Sequence, residues 1–560
     1  MELQSEQRMD MKPAVTKPQR TALRTLSLVG LVVGVALAVL YGRSIMRSDE
    51  VQDRSGQTVF SQSITGLTEA KASETVELKN GDSYNLTASI VKKRVGGSEV
   101  KMLAYNGMIP GPLIKVGQGS EVTLNFTNNT DVDTTIHSHG VRLENAFDGV
   151  PDVTQKEVEP GESFTYKIKF PDEGMYWYHP HIREDYAQEL GLYGNYLVAP
   201  SDPEYWSPVN KEVALFVDDI LMENGTIAAF SKASADRTLM GRFGNTMLVN
   251  GETDYAFQAK AGEVIRFYIT NSANARTFNI SVPGAKVKLV GADGGKYERE
   301  TWSDGVILSP SERAIVEVLF ANAGSYALQH KTPEKTYTLG TITVANERVG
   351  TSFEKEFAVL RSNKDIQSEI DAFRPFFSKV ADKRLKLTID LGMQMQGMMQ
   401  SNTGGHDMNM MGGDSQVMPN SQMMNSGEPI EWEESNITMN MASNPEMMKW
   451  VLLDEDTGKR NMDIDWKFKV GDKVKIKITN DPNSMHPMQH PIHFHGQRFL
   501  VISTNGKPND NLVWKDTALV PNGDTVEFLV EMTNPGKWMA HCHIAEHLEA
   551  EMMMSFTVEQ

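Results

Sequence analysis

The chain of 560 residues has a single cysteine, Cys542. No intrachain disulfide can form, so the fold must hold by core packing and the thiol is free for chemistry. Basic residues are outnumbered, 55 Lys and Arg against 73 Asp and Glu, and the formal net charge of −18 argues against nucleic acid as a partner. Only 13 histidines occur, and ten of them crowd into four short clusters. The length is too great for one ordinary core and predicts two to four domains.

Between Arg24 and Arg43 lies an uncharged, mostly apolar stretch, Leu26 to Tyr41. The 18 residues between the two arginines are near the lower limit for a membrane span. Lys12, Lys17, Arg20 and Arg24 precede it, which suits a cytoplasmic N-terminus and export of the rest. The segment reads as a signal anchor, or as a long signal peptide with Ala36-Leu37-Ala38 as a poor cleavage site. Residues 1–48 are thus expected to form a tail and membrane anchor or signal, and 49–75 a linker.

The remainder repeats itself three times. A strand-like segment with a glycine, alternating residues and then Thr-Asn runs from Gly119 to Thr127-Asn128, from Gly262 to Thr270-Asn271 and from Gly471 to Thr479-Asn480. The period-2 alternation predicts a half-buried strand in each. A proline turn, another alternating strand, a glycine and an aromatic follow: Pro160, Gly174 and Tyr176; Pro310, Gly324 and Tyr326; Pro521, Gly536 and Trp538. Three all-β units of Greek-key sandwich type are expected, at 76–202, 203–349 and 350–560. Within the third, 393–424 is rich in Met, Gly, Asn, Gln and Ser and cannot bury a core, so an insertion is predicted there.

The histidine clusters read His137-Ser138-His139-Gly140, Trp177-Tyr178-His179-Pro180-His181, His490-Pro491-Ile492-His493-Phe494-His495-Gly496 and His541-Cys542-His543, continuing to His547 and Met552. On a strand, residues i and i+2 face one side, so each His-x-His pair aims two imidazoles into one pocket. Eight such imidazoles suit several copper ions. One tetrahedral zinc would need fewer, and a two-cysteine site is impossible here. Cys542 faces away from His541 and His543, towards a second site. There His490, Cys542, His547 and Met552 supply the ligand set of a blue-copper centre.

These four motifs resemble those of the multicopper oxidases (laccases, ascorbate oxidases, cuprous oxidases and ferroxidases), over about residue 80 to the C-terminus. The resemblance implies three cupredoxin domains, in agreement with the repeat. It implies one-electron oxidation of a substrate at a type 1 copper and four-electron reduction of dioxygen to water at a three-copper cluster. The type 1 copper would be held by His490, Cys542, His547 and Met552, and the type 2 copper by His137 and His493. The type 3 pair would be held by His139, His179, His181, His495, His541 and His543. Asp148 matches a family aspartate near the type 2 copper that helps deliver protons, although a turn aspartate is the plainer reading. His330, in the middle unit, stands alone and reads as structural.

The Met-rich segment, with His406, resembles the insert of bacterial cuprous oxidases over the type 1 copper, and thioethers favour Cu(I). Met485 and Met488 read equally as an extension of that path or as core. The function expected is oxidation of Cu(I), with Fe(II) or phenols as further reductants, on the exported, periplasmic side of the cytoplasmic membrane in copper tolerance. The alternatives are a laccase acting on phenols and a non-catalytic cupredoxin scaffold of the envelope.

Overall fold

The computed structural model describes residues 51–52, 58–393, 395 and 429–560. The apolar N-terminal segment and nearly all of the Met-rich insert lie outside these residues. Among the described residues no helix is long and apolar enough to cross a membrane. The chain divides into two units, and Gln62–Gln560, the second, carries every candidate site residue.

This unit is built of β-sheets, as the alternation predicts. The strand bearing each Thr-Asn landmark sits in the same local arrangement three times. Glu121–Asn129 pairs parallel to Ser83–Val95 and antiparallel to Ser163–Lys169. Glu263–Asn271 pairs in the same way with Lys211–Ile220 and Arg313–Phe320. Lys473–Asn480 does so with Lys383–Leu391 and Thr525–Glu531. A second sheet accompanies each of these, and in it lie the glycine-initiated strands Gly174–His179, Gly324–Lys331 and Gly536–Cys542.

The repeated asparagine has a structural cause. Asn128 Nδ2 donates to the carbonyls of Val132 and Val158, Asn271 Nδ2 to those of Arg276 and Leu308, and Asn480 Nδ2 to those of Met488 and Val520. All three side chains are buried. Each ties the end of its strand to two neighbouring segments, one of which in the second and third copies is itself a strand end, at Leu308 and Val520. Losing such a donor strands buried carbonyls, at a cost of about 1–3 kcal/mol.

The expected half-burial holds for the first and third copies; Val122, Leu124 and Phe126 point inward while Thr123 and Asn125 are less buried. It fails for the second, because Glu263–Asn271 is buried along its whole length. Tyr268, Val290 and Ile315 of the middle sheets pack against Met175 and Leu197 of the first pair, so the face that alternation assigned to solvent is covered.

The largest core, in the third sheet pair, encloses Cys542, Met552, Trp450, Trp466 and Trp538. The first residues of the insertion divide sharply. Met393 is 90% exposed whereas Met395 belongs to this core.

Candidate metal centre

Strand pairing places the histidines. In the first sheet pair His137–His139 lies antiparallel to Gly174–His179, with His139 opposite Trp177 and His137 opposite His179. In the third, His490–Phe494 lies antiparallel to Gly536–Cys542, with His493 opposite His541 and Ile492 opposite Cys542. His181, His495 and His543 follow their strands by one or two residues. Side chains opposite each other on paired strands share a face, so each pairing gathers one set of imidazoles.

The two sets meet. The ring of His137 stacks on that of His495 at 4.1 Å, and His139 stacks on His493 at 3.7 Å. His181 and His541 approach to 5.2 Å, and His179 and His543 to 5.0 Å. Ring nitrogens of His137, His493 and His495 all lie within 4.8 Å of one another, as do those of His137, His139 and His179 and those of His181, His495 and His541. All eight side chains are buried.

Their hydrogen bonds show which nitrogen faces the centre. Nδ1 of His137, His179, His493 and His541 lies 2.7–2.8 Å from the carbonyl oxygens of Asp148, Pro180, Asp516 and Cys542. A carbonyl only accepts, so each Nδ1 carries the hydrogen and each Nε2 the lone pair. His495 Nδ1 donates to Asp148 Oδ2 at 2.9 Å. Its Nε2 and that of His541 then face each other at 3.0 Å, two lone pairs with no proton between them. Burial, reinforced by the neighbouring imidazoles, holds His493 and His495 well below the usual imidazole range, and burial brings His541 down to about 4. Nε2 of His137, His179, His181 and His493 has no hydrogen-bond partner among the described residues. A buried group of unprotonated, converging imidazoles is destabilised unless cations occupy its centre, and this donor set fits copper.

His139 is the exception. Its Nε2 lies 3.0 Å from Asp516 Oδ1 and 2.9 Å from Thr517 Oγ1. The carboxylate only accepts, so Nε2 carries the hydrogen and Nδ1 is the donor atom left for a metal.

On the opposite side of Cys542 a second group forms. Its Sγ lies 3.6 Å from His490 Nδ1 and 3.8 Å from His547 Nδ1, and the two nitrogens are 3.3 Å apart. Atoms bound to one metal at about 2.0–2.3 Å in a trigonal to tetrahedral arrangement are separated by about 3.3–3.7 Å, so the triangle fits one ion. Met552 is fully buried, and its carbonyl accepts from the Cys542 amide at 3.0 Å, which holds it beside the thiol. Trp450 packs against both rings, at 4.7 Å from His490 and 4.3 Å from His547. Burial pushes the Cys542 thiol far above its ordinary range; the thiolate can exist here only with a cation to compensate it.

The other candidates separate clearly. Asp148 is fully buried against the cluster, its carbonyl on His137 and its carboxylate on His495. His330 is buried in the middle sheets, where Nδ1 accepts from the Asn279 amide at 3.0 Å and the ring stacks on Tyr337; no second histidine joins it among the described residues. Met488 is core, while Met485 is half-exposed. His406 lies outside the described residues.

Sequence reasoning missed two carboxylates. Asp516 holds His139 by its side chain and His493 by its carbonyl. Glu184 is fully buried, 3.6 Å from His181 Nδ1 and 4.0 Å from His179 Nδ1, and burial raises its carboxyl well above the usual range. The one trace of Asp516 in the motifs is Gly140. A Cβ there would stand 2.1 Å from Asp516 Oδ2, and φ is +80°, so only glycine follows His139 without displacing the carboxylate.

Two family models described as multicopper oxidase match residues 88–203 and 430–560, the parts that carry the histidine clusters. The multicopper oxidase mco of Staphylococcus aureus is 26% identical over 482 residues, covering 84% of this chain and 87% of that protein. Copper resistance protein A of Escherichia coli is 25% identical, covering 86% of this chain and 93% of its own. Among solved structures, a multicopper oxidase from Campylobacter jejuni described as a metallo-oxidase superposes with a TM-score of 0.64 at 25% identity, over 90% of this chain and 99% of that one. With both donor groups intact and the matches falling on the segments that build them, the chain carries multicopper oxidase domains over 88–203 and 430–560 and is a copper-dependent oxidoreductase.

Proposed function

We propose that this protein oxidises Cu(I) at a type 1 copper and passes the electrons to dioxygen at a trinuclear cluster, in copper tolerance. On this reading His490, Cys542, His547 and Met552 hold the type 1 copper. His137 and His493 hold the type 2 copper, and His139, His179, His181, His495, His541 and His543 hold the type 3 pair. The supporting observation is the strand Gly536–Cys542, which places the Cys542 thiol in one donor group and His541 in the other. Bound copper supplies one-electron transfer at the first site and dioxygen reduction at the second.

The chain supplies the rest. The route from Sγ to the imidazoles of His541 and His543 runs through one residue's side chain and adjacent backbone. The Ile544 amide points at Sγ from 3.5 Å, which favours the thiolate. Complete burial of both groups keeps bulk water out. Asp148 orients His495 and His137, and on the family resemblance it also hands protons to reduced oxygen. The three successive sheet pairs read as three cupredoxin domains over 76–202, 203–349 and 350–560.

The names of the relatives, copper resistance protein A and metallo-oxidase, support Cu(I) as the substrate. A periplasmic location, with the apolar segment of residues 26–41 as anchor or signal, follows from the charge placement alone. The deciding measurement is oxygen uptake by the copper-loaded protein with Cu(I), Fe(II) and a phenol side by side. We expect the highest kcat/KM on Cu(I). A phenol preferred over Cu(I) would make the protein a laccase, as one relative is named, and no uptake on any of them would leave a scaffold.

The insertion gives a separate test. Because Met395 is part of the core, the deletion should start after it, over 396–424. If the thioethers gather the soft cuprous ion, kcat/KM on Cu(I) falls about tenfold, the equivalent of about 1.4 kcal/mol of binding, while activity on a bulky phenol is level or higher. An equal loss on both substrates, or none on Cu(I), would rule out the copper-gathering role.

A further inference from the structure

The middle sheet pair carries no copper ligand, yet two of its residues reach the eight-histidine centre. Ser311 Oγ lies 2.9 Å from His139 Nε2. Arg313 donates through both terminal nitrogens to Asp516, at 2.6 Å to Oδ1 and 2.5 Å to Oδ2. Asp516 in turn contacts His139 Nε2 and accepts from His493 Nδ1 on its carbonyl. Arg313 is itself fixed, with Nε donating to the Met175 carbonyl and its amide to Asp293 Oδ1.

The internal repeat shows that both residues depart from the pattern of their own fold. The amides of Asn128, Asn271 and Asn480 donate to the carbonyls of Glu162, Glu312 and Asp524. These bonds align the three proline turns residue by residue. Gly161, Ser311 and Gly523 are therefore equivalent, and all three have positive φ, +90°, +76° and +75°. Two copies use glycine, the residue this backbone favours; the middle copy uses serine and accepts the strain. In the same alignment Arg313 stands where the other copies have Ser163 and Thr525. The strained serine touches the one histidine whose ring is reversed, and the buried arginine reaches it through Asp516.

We propose that Ser311 and Arg313 are positioning residues for the eight-histidine centre: the sheet pair without a ligand fixes the ring of His139 directly and that of His493 through Asp516. This rests on the assignment of these histidines to a copper cluster. The centre is then complete only with all three sheet pairs in place, and the middle pair is part of the site. Gly140 leaves the space that the Arg313–Asp516 pair occupies, since a Cβ there would also come within 3.1 Å of an Arg313 terminal nitrogen.

The test is Ser311→Gly and Arg313→Lys in the full chain, loaded with copper and titrated with a chelator. Copper per chain, the blue absorption of the Cys542 site and thermal unfolding are followed together. Ser311→Gly restores the residue of the other two copies, so its Tm should not fall. Copper should nevertheless leave the histidine cluster at about 10-fold lower chelator concentration, and in Arg313→Lys at up to about 100-fold lower, with the blue band unchanged in both. Unchanged copper retention in Ser311→Gly would overturn the proposal, as would parallel loss of copper and blue colour, which marks a merely structural effect. If Arg313→Lys does not fold, Ser311→Gly alone decides. Wild-type protein that binds copper only at the Cys542 site would instead refute the cluster assignment, and the wild-type titration reads that separately.

Discussion

Replacing Cys542 by serine should abolish the blue colour and reduce dioxygen uptake by at least about a thousandfold, the equivalent of about 4 kcal/mol of barrier, while the protein stays folded. The colour of a blue-copper centre arises from a thiolate on Cu(II), and Cys542 is the only thiol in the chain. Its Sγ forms a compact triangle with His490 Nδ1 and His547 Nδ1, at 3.6 and 3.8 Å. A serine oxygen is harder and carries a shorter bond to Cβ, so it neither reaches the same point nor offers the same covalency. Folding should survive because the change is nearly isosteric and both imidazole nitrogens remain as partners for the hydroxyl. The eight-histidine centre lies on the other face of the strand and should keep its copper, so metal content should fall by the type 1 ion alone. Absorption, copper analysis and oxygen uptake on one preparation check this. A blue or active Cys542→Ser protein would refute the ligand assignment.

How much of this could be read in the sequence depends on whether a contact is local. Period-2 geometry alone sends Cys542 one way and His541 and His543 the other, and the register His493 opposite His541 bears that out. The repeat landmarks fall on equivalent strands because the same backbone problem, a strand end with neighbouring segments to tie, recurs three times and is met each time by an asparagine. The same spacing set His330 at the register of Cys542, six residues after its glycine. There the neighbouring strand offers a backbone amide in place of a second imidazole, so the residue is structural.

Asp516 left only the trace at Gly140, and Ser311 and Arg313 only a departure from the repeat, because a carboxylate or hydroxyl that steadies a ligand can come from anywhere in the chain. Asp516 is 377 residues from His139, and Ser311 is 172. The burial of Glu263–Asn271 was hidden for a related reason. Alternation reports which face is more apolar, and Tyr268 satisfies that pattern even when the first sheet pair covers it.

Asp148 is where position and proton delivery can be separated. Its carbonyl accepts from His137 at 2.7 Å and its Oδ2 from His495 at 2.9 Å, while Oδ1 has no hydrogen-bond partner among the described residues. A substitution leaves the carbonyl contact in place and changes only the side chain. Asp148→Ala removes the acceptor for His495 and should lower kcat about 10- to 100-fold, the usual effect of losing a group that orients a ligand. Asp148→Asn keeps an amide oxygen that can accept from His495 Nδ1 but can neither hold nor release a proton at neutral pH. If the carboxyl only orients the ring, Asn recovers most of the wild-type rate. If it also delivers protons, which the reduction of dioxygen consumes, Asn loses as much as Ala. Its deficit would then widen as pH rises and solvent supplies fewer protons. We expect the second outcome, because Oδ1 lies on the cluster side, 3.4 Å from His137 Nδ1, and makes no hydrogen bond among the described residues. The measurement is kcat against pH for wild type and both variants, with copper content held equal. An Asn variant close to wild type at every pH would reduce Asp148 to a support for His495 and move the proton source elsewhere, to a buried acid such as Glu184.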